Sequence, residues 1–191
     1  YSGPATNWLK NAAEGDAFRL ATGRSLSSKT MRDREAINRF CAFKLLGWTH
    51  YTTSDMDTYL ADGLTRLGAL SPDESKSLRT SFDGAMTLNR ELFGEHAFRK
   101  SLASNHRGVA RSVINISLFE VCAVTMAGID DIGLDAEMKA RLKKAVIDLL
   151  RDDDFVRSIT YSTNSTGAVR TRFAAMDDAI INAVLIRSEE R

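Results

Sequence analysis

Side chains suited to proton transfer or metal binding near neutral pH are scarce in this sequence: three histidines, His50, His96 and His106, and two cysteines, Cys41 and Cys122. No two histidines stand four apart, no H-E-x-x-H occurs, and neither cysteine has a second at CxxC spacing, so the pattern encodes no metal or thiol-redox site. Both cysteines lie in apolar, helically spaced stretches and are expected as reduced core thiols. A G-x-S-x-G nucleophile elbow is absent, as are the glycine-rich phosphate loops G-x-x-x-x-G-K-[ST] and G-x-G-x-x-G. No catalytic residue and no cofactor is expected in this chain.

One spacing stands apart. Arg90 precedes His96, and Arg99 precedes His106, at the R-x(4–6)-H interval that resembles HEPN ribonucleases, which are also helical. The alternative it opens is a freestanding helical ribonuclease. Such a spacing arises readily by chance in an arginine-rich chain, and it assigns no role by itself.

Local charge says more than the total. Lys plus Arg number 26 and Asp plus Glu 25, a net charge of +1 that exerts no global pull on nucleic acid or anionic membrane. Yet residues 98–111 carry Arg99, Lys100, Arg107 and Arg111 with His106 and no acid, and Arg19, Arg24, Lys29, Arg32 and Arg34 form a second basic stretch beside Asp16 and Asp33. Such clusters can neutralise phosphates, with Arg99, Lys100, His106, Arg107 and Arg111 as candidate nucleic-acid contacts. They can equally form a solvated rim or an interface to an acidic neighbour.

The elements that must position these groups read as helices throughout. Apolar residues recur at three and four positions, and no stretch alternates long enough for a strand. Composition is that of a packed globular chain: 191 residues, 43% hydrophobic, two prolines and twelve glycines. The expected architecture is all-α, a single irregular bundle of about eight helices spanning residues 1–191. Expected helices cover about 5–14, 16–21, 30–47 with Thr30 as cap, 54–68 from Ser54 or Asp55, 71–94 from a Ser71-Pro72-Asp73-Glu74 start, 135–150 capped by Asp135, 152–161 capped by Asp152, and 168–187. The run 112–127, apolar nearly all round, is expected as the buried central helix. It is too short and too interrupted to cross a bilayer, which needs about 20 residues. Within it Glu120 requires a partner, an arginine such as Arg39 or Arg111, because an unpaired buried charge is costly. Asn115 is expected to make a core hydrogen bond.

Several blocks carry a wider resemblance. Tyr1-Ser2-Gly3-Pro4-Ala5 with Trp8-Leu9-Lys10, Met31-Arg32-Asp33-Arg34-Glu35, Arg39-Phe40-Cys41-Ala42-Phe43, and Asp55-Met56-Asp57 with Tyr59-Leu60 come first. Phe93-Gly94-Glu95-His96-Ala97-Phe98-Arg99-Lys100, Ile114-Asn115 with Leu118-Phe119-Glu120, and Ser162-Thr163-Asn164 ahead of Arg172-Phe173 follow in order. Together they resemble the helical C-terminal half of the GmrSD-type, ParB/sulfiredoxin-like family of bacterial defence proteins. The resemblance implies an upstream nucleotidase half around a DGQQR motif, which has no match here, and in some members a downstream HNH nuclease.

By that resemblance the parent would be a cytoplasmic anti-phage restriction protein coupling nucleotide hydrolysis to cleavage of foreign or modified DNA. This chain would be its non-catalytic helical scaffold and DNA-facing module, with NTP and divalent metal belonging to the other half. The expected partners are that N-terminal nucleotidase half, DNA, and a second copy in a homo-oligomer, with no membrane. A plain interaction or oligomerisation bundle is the remaining alternative.

Overall fold

Capping chemistry written into the chain sets most helix starts. The computed structural model describes residues 3–104, 108–129 and 132–185, and among these nine α-helices and three short 3-10 turns account for the regular structure. Helices α1 (Pro4–Glu14) and α2 (Asp16–Thr22) meet at Gly15, and α2 stops where Gly23 turns left-handed at φ 61°. Helix α3 (Arg32–Leu46) ends at Gly47 and is followed by a 3-10 turn, Trp48–His50. The Asp55 carboxylate accepts the Thr58 N–H to start α4 (Met56–Gly68). Ser71 and Glu74 cap each other's backbone amides at the head of α5 (Pro72–Phe93), the longest helix. After two more 3-10 turns, Gly94–His96 and Lys100–Ser104, the chain forms α6 (Ile116–Met126), α7 (Ala136–Leu149), α8 (Asp153–Ser158) and α9 (Thr166–Leu185). Asp135 and Asp152 cap α7 and α8 as their positions predict.

Two starts differ from expectation. Thr30 does not cap α3: its hydroxyl donates to the Ser27 carbonyl, and the helix begins two residues later, after Met31 at φ 59°. The central helix begins at Ile116 rather than 112, because the Asn115 side chain accepts the Leu118 N–H and so is the N-cap, while its amide donates to the Ile159 carbonyl. Residues 112–115 instead run extended, with Ile114 in an antiparallel bridge to Arg99.

The expectation that this apolar stretch lies at the centre holds from Ser117 to Met126. Ser117, Leu118, Phe119, Val121, Cys122, Ala123 and Met126 are all buried, and α6 is packed against α3, α5 and α9. Helix α4 lies on α3 and α1, α2 on α5, α7 on α9 and α5, and α8 on α9. Aromatic rings join these layers: Phe40 of α3 meets Phe82 of α5 at 4.9 Å between centroids, Phe43 of α3 meets Phe173 of α9 at 4.8 Å, and Phe98 meets Phe119 of α6 at 4.7 Å. Each such ring contributes about 1.5–3 kcal/mol through burial. Among the described residues no helix is long and apolar enough to cross a membrane.

The α3–α4 contact is close enough to require a missing side chain. A Cβ on Gly63 would lie 2.5 Å from the Ala42 Cβ and 2.7 Å from its Cα, so the two backbones touch where α4 has no side chain. Gly63→Ala is therefore expected to destabilise the fold by about 1–3 kcal/mol through overpacking, despite alanine's better helix propensity of about 1 kcal/mol. Urea unfolding of the variant measures this, and a higher midpoint would contradict the close approach.

Candidate nucleic-acid interface

The basic residues near Arg99 are held by a short two-strand clamp. Phe98 adopts φ 62°, which turns the chain so that the Phe98 carbonyl accepts the Asn115 N–H at 2.9 Å. One step along, the Ser101 N–H donates to Ser112 Oγ at 3.1 Å and the Ser112 N–H donates to Ser101 Oγ at 3.0 Å. Each serine thus satisfies the other's backbone. His96 Nδ1 also lies 2.9 Å from Ser101 Oγ.

This clamp aims Arg99 inward, where it is only 3% exposed. Its Nη2 donates to the Thr22 carbonyl at 3.0 Å and to Ser25 Oγ at 2.7 Å, and its Nη1 donates to the Ser112 carbonyl. A guanidinium at the C-terminal carbonyls of a helix satisfies acceptors that α2 leaves open. Arg99 thereby ties the end of α2 to the 98–115 clamp. Burial pulls its pKa below the ordinary arginine value, the neighbouring Arg111 charge adds to that, and Glu95 opposes it.

Around this guanidinium the fold opens a cleft of about 340 Å³ lined by Ser25, Leu26, Arg32, Arg99, Arg111, Ser112, Val113 and Ile114. Arg32 enters from the start of α3 and Arg111 from the far arm of the clamp. Gly23 makes the convergence of Arg99 and Arg111 feasible: a Cβ there would sit 2.8 Å from Arg111 Nη1 and 3.8 Å from Arg99 Nη2, and the residue is already at positive φ. No carboxylate lines the cleft, and among the described residues Arg32, Arg99 and Arg111 form no salt bridge. Several other cations on the bundle are paired with carboxylates, such as Arg79 with Asp83 and Lys139 with Glu91.

A second cavity, of about 320 Å³, shares Leu26 with the first and is lined by Lys10, Arg19, Arg24 and Arg34 together with Glu14 and Asp33. The two basic stretches of the sequence therefore meet on one side of the molecule, on either side of the loop between α2 and α3.

The expected contacts do not all gather there. Arg99 and Arg111 line the cleft, whereas the Lys100 ammonium donates to Thr160 Oγ1 at 3.0 Å and does not. His106 and Arg107 lie outside the described residues. Arg32 belongs to the cleft although it was not among the expected phosphate contacts. Its visible signal was its place in the second basic stretch.

The HEPN-like spacing gains no geometry at Arg90 and His96, and in the Arg99–His106 pair His106 lies outside the described residues. No hydrogen bond joins Arg90 to His96, whose imidazole faces Ser101 instead, and Arg99 is committed to backbone carbonyls. Among the described residues no group of three His, Cys, Asp or Glu side chains is placed to hold a metal ion. Cys41 and Cys122 are buried free thiols, and burial alone drives both pKa values up, that of Cys122 to about 12.

Glu120 does find its partners, and they differ in part from those expected. Arg39 Nη1 donates to Oε2 at 3.1 Å. Arg172 of α9 donates to Oε1 from Nε at 2.9 Å and also from Nη2, while Arg111 stands in the cleft and takes no part. Arg172 and Glu120 are both fully buried. The remaining donors of Arg172 reach the Ser158 carbonyl at 3.3 Å and the Thr163 carbonyl at 2.8 Å. Arg39 reaches out to the half-exposed Glu35 carboxylate at 3.4 Å, so two cations and two anions balance. This network joins α3, α6 and α9 and is saturated within the protein.

Comparison of the chain with protein-family models, with curated proteins and with solved structures finds no match.

Proposed function

We propose that this chain is a non-catalytic helical module that docks the phosphates of DNA on the arginine-lined cleft, within a bacterial anti-phage restriction protein that couples nucleotide hydrolysis to cleavage of foreign or modified DNA. The observation carrying the docking role is the convergence of Arg32, Arg99 and Arg111 in one cleft without a carboxylate in its lining. The buried Arg99 charge lies beside that of Arg111 with no carboxylate in the lining, and phosphate oxygens would offset that repulsion while accepting charge-assisted hydrogen bonds from the exposed Arg32 and Arg111. The wider role rests on the ordered sequence blocks that resemble the GmrSD-type family. There the chemistry belongs to a ParB-like nucleotidase half, against which this bundle packs.

Counterion release makes the reading measurable. If the three arginines together neutralise about three units of phosphate charge, log K falls with log salt at a slope of about −2.7, so a fourfold rise in salt weakens binding by roughly 40-fold. The purified chain is expected to retain a short, 5′-phosphorylated DNA duplex with that dependence. It is also expected to hydrolyse neither nucleoside triphosphate nor DNA or RNA. Salt-independent or absent retention overturns the docking role, and cleavage of RNA lost on His96→Ala establishes the ribonuclease reading instead.

A further inference from the structure

Resting on the reading of the cleft as a phosphate-binding surface, we infer that the phosphate it takes is a terminal monoester carried on a nucleoside, rather than an internal diester of a continuous strand. Charge is the first reason. A diester offers one negative charge and two free oxygens, whereas a monoester carries about −1.5 to −2 and offers three. Two exposed guanidiniums from separate segments, Arg32 at the head of α3 and Arg111 on the far arm of the clamp, with the buried Arg99 charge beneath them, exceed the single charge of a diester and match that of a monoester.

Shape is the second reason. An internal phosphate carries the strand on both sides of it, whereas a terminal phosphate can enter a cleft end-on, and here the arginines line a concavity of about 340 Å³. That volume lies at the lower end of small-molecule sites, which run from about 300 to 1,000 Å³. It suits a single nucleotide unit.

The wall is the third. Leu26, Val113 and Ile114 share the cleft with the arginines, and Val113 is 84% exposed, an apolar side chain left in solvent at the edge of an otherwise cationic site. A sugar or base face lying on that edge would cover it, as an inorganic anion would not. Finally, Arg99 is fixed before any ligand arrives by its bonds to Thr22, Ser25 and Ser112, so it pays little ordering cost on binding.

Two sources supply this chemistry: the 5′-phosphorylated end of a DNA strand and a free nucleoside monophosphate. The test compares full-length chain binding to one duplex with 5′-phosphate or 5′-hydroxyl ends, and titrates AMP and inorganic phosphate separately by calorimetry. Removing the end phosphate is expected to weaken duplex binding by about tenfold or more, the scale of one charge-assisted anion contact. Arg111→Ala and Arg32→Ala, both at exposed positions, should abolish that difference, while Lys143→Ala on the far helix α7 should preserve it.

AMP binding that exceeds inorganic phosphate marks a free nucleotide as ligand, and end-dependent duplex binding without AMP binding marks a strand end. Both support the inference. Equal binding of the two duplexes, within about threefold, together with no AMP binding overturns it yet leaves the docking role standing. Failure to retain either duplex, with AMP also unbound, removes both.

Discussion

Glu120→Ala is expected to lower the unfolding free energy by about 3–5 kcal/mol, a large part of the 5–15 kcal/mol typical of a domain. The loss does not measure the value of an ion pair. It arises because the substitution leaves Arg172, which has no exposed surface at all, without a counter-charge, while Arg39 keeps only the half-exposed Glu35 carboxylate. Glu120→Gln keeps the volume and one acceptor and should fall between wild type and alanine. Replacing both members of the inner pair, Glu120→Leu with Arg172→Met, should cost less than the alanine variant, since hydrophobic residues of similar volume often substitute for a buried pair without loss. Urea unfolding of the four proteins reads the series. A loss below about 1 kcal/mol for Glu120→Ala would mean that the two arginines find other acceptors or water.

The cleft is the site of the second large effect. Arg32→Glu with Arg111→Glu should weaken retention of a 5′-phosphorylated duplex by about 100-fold or more at low salt. Each reversal removes a charge-assisted contact of about 1.5–3 kcal/mol and adds a repulsion. The salt slope should also become shallower by about two, one unit for each arginine charge no longer paired with phosphate charge. Both arginines lie at exposed positions, so the fold should tolerate the change, and unaltered thermal unfolding would show it. Arg99 is a poor site for the same experiment because it closes the end of α2, and its removal would take the guanidinium from the Ser112 carbonyl and leave the Thr22 carbonyl only the Ser25 N–H. Retention unchanged in the double variant, with an unchanged salt slope, would remove the cleft from the interface.

How far the sequence discloses this arrangement depends on the range of the interaction. Local signals were readable: Asp55, Ser71, Asp135 and Asp152 each announce a helix that begins one residue later, because capping needs only three or four consecutive residues. The start of α6 was harder. Val113 and Ile114 continue the apolar run, so periodicity extends the helix to 112, while Asn115 was read for a core hydrogen bond rather than as the cap that ends the extended segment. Met31 hid the start of α3 in the same way, since no residue type announces a left-handed turn there.

The cleft was legible only in pieces. Each basic stretch is visible along the chain, but which of its arginines converge depends on how the α2–α3 loop meets the clamp at Ser101 and Ser112. That is why Arg32, read only as part of a basic stretch, lies in the cleft and Lys100 does not. Likewise an arginine partner for Glu120 follows from the cost of an unpaired charge, and Arg39 was among those expected. Arg172 was not, because it follows Arg170 and Thr171 in the second turn of α9, 52 positions downstream.

That distance bears on how the protein is made. During synthesis the chain presents Glu120 and Arg39 well before the ribosome has added the residue that donates two hydrogen bonds to the same carboxylate. Burying α6 early would place a half-compensated anion in a dry interior, so the bundle should stay open, with α6 hydrated, until α9 has emerged. Nascent chains halted before Arg172 should accordingly be cleaved readily by protease, and those extended past α9 should resist it. Assembly of the core is thus timed by the last helix.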